Sequence, residues 1–123
     1  MTPILVAGAA AAFNLSCSIS SIGFMGEMPR KPNAPMTATF RVDLAARRYC
    51  EGDCRSTESI AKVTSTDLYL KMTDQPRLKE FLRINRQSGD MLSMWRLGST
   101  SADSIETATC TPSRFTGFPS SKF

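Results

Sequence analysis

The chain has 123 residues, 41% hydrophobic and 21% charged, which leaves room for one domain with one core and excludes disorder of the whole chain. Fifteen Lys and Arg against 11 Asp and Glu give a net charge of +4; the basic residues alternate with acids along the chain, which is the pattern of a solvated face and not of a dedicated nucleic-acid binder. Histidine is absent, so hydrolases that rely on a histidine base are excluded, and the commonest metal ligand is missing as well.

In chain order, residues 1–12, MTPILVAGAAAA, are apolar and uncharged and end in a run of small residues at Ala10-Ala11-Ala12 that suits signal-peptidase cleavage. They read as a secretory signal remnant whose positive leader is missing, with residues 13–123 as a single β domain. A short N-terminal helix or tail is the alternative, and a membrane-spanning helix is excluded by length. Residues 13–19 alternate, with Phe13, Leu15, Cys17 and Ile19 on one face, and form the first strand. Asn14-Leu15-Ser16 matches a glycosylation acceptor, a pattern common by chance. Residues 20–35 carry Gly23, Gly26, Pro29, Pro32 and Pro35 around Arg30-Lys31 and read as a basic loop, with a short edge strand at Ile22-Gly23-Phe24-Met25.

The organising stretch is residues 40–54, FRVDLAARRYCEGDC, a hairpin turning at Ala45-Ala46. Phe40, Val42 and Leu44 face one side; Arg41 and Asp43 face the other. A short strand follows at residues 60–63 and a better one at 67–72, with Leu68, Leu70 and Met72 expected inside and Tyr69 and Lys71 outside. Pro76 ends that run because proline cannot donate to a ladder. Residues 77–81 have helical propensity, but the alternation of Leu82 and Ile84 with Arg83 and Asn85 argues for strand. Arg86-Gln87-Ser88-Gly89-Asp90 makes a turn with Gly89 left-handed, and residues 91–97 return as its partner strand. Trp95 then becomes a core residue or the wall of a cavity. Residues 104–109 form the last strand, closed by Cys110.

Seven or eight short strands at this spacing predict an all-β antiparallel meander forming a small open barrel or rolled sheet, with a two-sheet sandwich as the alternative. Four cysteines allow three pairings. Gly52 lets Cys50 and Cys54 approach across a tight loop, and Cys17 and Cys110 lie in first and last strands that become neighbours if the meander rolls up. The pairing expected is therefore Cys50–Cys54 with Cys17–Cys110; reduced thiols or a zinc site are the alternatives, and the lack of a second closely spaced pair argues against zinc.

The set Phe40-Arg41-Val42-Asp43-Leu44, Arg48-Tyr49-Cys50, Arg86-Gln87-Ser88-Gly89 and Phe115-Thr116-Gly117-Phe118-Pro119 resembles a loose group of small exported bacterial all-β proteins, with Tyr49 where that group has Trp. The resemblance spans residues 13–123. It implies export and a β fold, and it carries over no functional residue.

The function expected is a noncatalytic exported module of the bacterial periplasm or envelope, without cofactor or metal, that binds an envelope protein or a small apolar ligand. Its site is the barrel mouth, with Tyr69, Met94 and Trp95 as lining candidates. The alternative is binding of an anionic polymer, nucleic acid or acidic glycan, through Arg41, Arg47, Arg48, Arg83, Arg86 and Arg96, if adjacent strands gather them into a stripe. An enzyme would need a cleft with two carboxylates or a Ser-Lys pair, and no local motif nominates one.

Overall fold

The computed structural model describes residues 11–98 and 103–119. Nine strands follow one another: β1 (Ala12–Phe24), β2 (Thr37–Asp43), β3 (Arg48–Glu51), β4 (Glu58–Ser59), β5 (Lys62–Val63), β6 (Asp67–Gln75), β7 (Leu78–Asn85), β8 (Asp90–Leu97) and β9 (Asp103–Arg114). They form one antiparallel sheet in the order β4-β3-β2-β1-β9-β8-β7-β6-β5, with no helix among the described residues. The sheet is a meander rolled until its first and last strands meet, from Phe13 opposite Arg114 to Phe24 opposite Ser104.

The two outer edges, β4 and β5, are consecutive in the chain and separated only by Ile60 and Ala61. The Ile60 amide donates to the Arg47 carbonyl and the Ala61 amide to the Tyr69 carbonyl, each at 3.0 Å, so this linker ties one edge to the other and leaves little edge for another chain to pair with. The architecture is therefore the expected rolled, open barrel. Of the strand predicted at 60–63 only Lys62–Val63 is strand, paired with β6, while Ile60 and Ala61 are the linker to a second short strand, β4, that pairs with β3 just before it.

Two bulges depart from the simple alternation. In β1 the register shifts between Ile19 and Ser21, and the strand continues to Phe24. The segment expected as a separate edge strand at Ile22-Gly23-Phe24-Met25 is thus largely the far end of a central strand. In β6 the register shifts between Tyr69 and Lys71. One extra residue reverses the parity of everything beyond it, so Lys71 lies opposite inward Leu82 while Met72 pairs with Phe81 and is 47% exposed. The expectation for these two side chains is overturned by the bulge.

The proline-rich segment after β1 is tied down. Ile22 and Arg30 exchange two backbone hydrogen bonds of 2.9 Å, and the Gly26 amide donates to the Asp103 carboxylate at 3.0 Å. Gly23 is required here: a Cβ would meet the Glu27 carbonyl at 2.9 Å, where the loop folds back. The C-terminal tail is held too, since Asn14 donates to the Thr116 hydroxyl at 2.9 Å and Arg41 to the Gly117 carbonyl at 2.9 Å. Asn14 of the glycosylation match thus clasps the tail.

Both disulfides form as expected. Cys17 and Cys110 face each other directly in the β1–β9 register with Cα atoms 3.9 Å apart, and Cys50–Cys54 closes its loop over Gly52 at φ +63°. Cys110 does not end the last strand, which runs on to Arg114. Pro112 is tolerated inside it because pairing with β8 stops at Thr109, so only one flank of the strand needs partners there.

Inward-facing Phe13, Leu15, Val42, Tyr49, Ile60 and Ile84 fill one end of the barrel, each buried. Full burial of such side chains stabilises by about 1.5–3 kcal/mol apiece. The filling does not extend to the other end.

Candidate functional site

The inner rows of the sheet change character toward the mouth. Leu68, Leu82, Ile84, Met91 and Ala108 are buried, whereas beside and beyond Leu82 on the same face lie Lys71, Ser93 and Glu106, followed by Glu80, Trp95 and Ser104. From the opposite wall Glu51, paired with Phe40, points to the same space. These side chains enclose a cavity of about 230 Å³. Phe40, Leu82 and Met91 provide its apolar floor, and Trp95, 36% exposed, stands at its wall.

Its charge is uneven. Glu51, Glu80 and Glu106 enter it against one cation, Lys71, whose ammonium lies 3.9 Å from Glu80. Burial pushes the Glu106 carboxyl above its ordinary pKa, and the neighbouring Glu51 adds to the shift. Tyr49 is buried, and burial first, then the charge of the Glu58 carboxylate, raise its phenol far above the usual range. The carboxylates reach the cavity because each is in phase with the buried residues of its own strand: Glu80 with Leu82 and Ile84, Glu106 with Ala108 and Cys110, Glu51 with Tyr49. That phase is a signal present in the sequence, and none of the three was singled out from it.

Of the expected lining residues, Trp95 and Met94 border the cavity. Tyr69 does not: it lies on the outer face opposite Arg83, with its ring edge-on to Phe81 at 5.7 Å and the Lys62 ammonium 5.8 Å from its centroid. A cleft with more than one carboxylate, the requirement of a carboxylate-based enzyme, is thus present. Lys71 and Ser93 also line the cavity, on strands flanking β7, and the Lys71 ammonium lies 3.9 Å from Glu80.

The arginines are not gathered. β2 and β7 are separated by β1, β9 and β8, so Arg41 and Arg83 do not adjoin. Arg41 holds the tail, Arg48 donates to the Thr57 hydroxyl at 2.7 Å and the Ser59 hydroxyl at 3.1 Å, and Arg86 donates to the Thr64 carbonyl. Arg83 lies 3.9 Å from Asp67 and Arg96 3.6 Å from Asp103. Arg47 is exposed in the β2–β3 turn at φ +57°.

A larger depression of about 590 Å³ lies on the outer face of β7–β9 and includes Asp67, Arg83, Asn85 and Thr107. Its polar groups are largely spent on one another. Thr107 shares hydroxyl hydrogen bonds with Ser20 at 2.8 Å and Ser21 at 2.6 Å, and the Asn85 side-chain oxygen Oδ1 accepts from the Gln87 and Ser88 amides at 2.9 Å. The interior cavity, where charge is left unmatched, is the better candidate. No family model, no curated protein and no solved structure matches this chain.

Proposed function

We propose that this chain is a noncatalytic module, exported to the periplasm or envelope, that takes a small ligand into the mouth of its barrel. The observation that carries the reading is the unequal filling of the interior: one end is packed with apolar side chains, and the other is left as a cavity of about 230 Å³ with an aromatic wall and charged groups. Small antiparallel barrels that bind ligands do so inside or at one end, on mostly apolar walls with a few polar groups that orient the guest. Export is supported by the apolar N-terminal stretch and by the two disulfides, which persist in oxidising compartments. The charged lining suits a ligand with a polar end better than a wholly apolar one.

Amide chemical-shift mapping against a set of small aromatic fragments tests the site. The expected result is saturable shifts at Leu82, Ser93, Trp95 and Glu106. Shifts confined to the outer face near Asp67 and Thr107, or none at millimolar fragment, would remove the reading.

A further inference from the structure

Resting on that reading, we infer that the ligand of the barrel mouth is an organic cation, an ammonium group joined to one ring or a short apolar body. The argument begins with what a part-enclosed cavity does to charge. Carboxylates withdrawn from water are costly unless a cation or hydrogen-bond donors compensate them, and their field is stronger where protein walls replace solvent. Lys71 answers Glu80 at 3.9 Å, and no second cationic side chain lines the cavity among the described residues. Glu106, partly buried, and Glu51, exposed at the rim, therefore face a space where positive charge is missing. Burial first, and then the charge of Glu51, raise the Glu106 carboxyl above its ordinary pKa.

A bare metal ion does not fit this arrangement: among the described residues no group of three acidic side chains is close enough to hold one. The negative charge is spread around a volume, which suits a cation with a body. That body has a place to lie, because Trp95, the best kind of side chain for holding an organic cation, lines the cavity, and Phe40, Leu82 and Met91 supply apolar surface. Size agrees as well. A protein cavity of about 150 Å³ admits benzene, so 230 Å³ has room for one ring with a short aminoalkyl arm.

Trp95 is the sole tryptophan of the chain, so its emission reports on the cavity directly. Titration with 2-phenylethylamine, 2-phenylethanol and phenylacetate at neutral pH compares a cation, a neutral molecule and an anion of similar shape. The amine is expected to bind at least about tenfold more tightly than the alcohol, with phenylacetate weakest. Added salt and the variants Glu51→Gln and Glu106→Gln are expected to narrow the gap between amine and alcohol by weakening the amine more than the alcohol. Equal or tighter binding of the alcohol or of phenylacetate would overturn the cation assignment and leave the mouth site standing. Failure of all three at millimolar concentration, by emission and by amide shifts, would overturn the site itself.

Discussion

Along β7, β8 and β9 the packed end and the open end of this barrel are made by the same strands in unbroken alternation, and there they differ in which residues occupy the inward positions. Along β7 the inward series is Ile84, Leu82, Glu80, and along β9 it is Cys110, Ala108, Glu106. Burial follows that series: Ile84 is fully buried and Leu82 nearly so, while the glutamates are only partly covered. A barrel wall thus does not need a break to make a site. Replacing two or three apolar positions in one inner layer by acids leaves that layer unfilled, because charged groups keep their hydration and hold one another apart.

The largest expected effect separates the two disulfides, one joining β1 to β9 and the other closing a local loop. Cys17–Cys110 closes a sequence separation of 93, and on the chain-entropy model its loss, in the Cys17→Ala/Cys110→Ala double variant, costs about 4 to 5 kcal/mol. Cys50–Cys54 spans only 4 residues, so its removal costs less. Urea unfolding of the two double variants ranks them, and an equal loss would mean that strain or residual structure, not loop length, sets the difference.

Truncation inside each end comes next. Ile84→Ala removes a fully buried side chain and is expected to cost about 2–5 kcal/mol. Trp95→Ala, at the open end, is expected to cost less than about 1.5 kcal/mol despite the larger deletion, because a third of the side chain is already in solvent. Equal losses in thermal unfolding would show that the mouth is packed as tightly as the far end.

A smaller, pH-dependent difference is expected from Glu106. Its carboxyl titrates higher in the fold than in the unfolded chain, through burial and then Glu51. The folded state therefore binds more protons across that interval, and the sign follows: its contribution favours the fold below the unfolded pKa and is lost as pH rises through the raised value. Glu51, Glu80, Lys71 and Trp95 face the same space and define its field. Glu106→Gln is expected to flatten the fall in melting temperature from acid to neutral pH. A variant that falls as steeply as the parent would place the titration elsewhere.

The smallest effect concerns the outside of the barrel. With Arg41, Arg48, Arg83, Arg86 and Arg96 engaged by neighbours and spread over β2, β3, β7, β8 and the β7–β8 turn, retention on heparin is expected to be weak and to end at low salt. Retention that persists to about 200 mM salt and falls steeply would point instead to a shared anionic surface.

Much of this architecture is legible in the chain itself. Alternation at Phe13, Leu15, Cys17 and Ile19 and at Phe40 and Val42 specifies strands with one buried face, and the turn residues around Gly52 and Gly89 place reversals where the backbone takes positive φ. Cysteines in the first and last strands already imply that the meander closes. The three cavity glutamates are legible in the same way, being in phase with buried neighbours two residues away. What the chain does not show by itself is where that phase breaks. The bulge in β6 depends on pairing with β7, which sets two residues of one strand against one of the other, and it turns Lys71 inward and Met72 to the outer face. The fate of the arginines was likewise decided by tertiary structure, because strand order separates β2 from β7 and the folded tail supplies the acceptor for Arg41. Local pattern determines which side chains share a face of a strand; only the partner strands determine which face becomes the inside and which charges meet there.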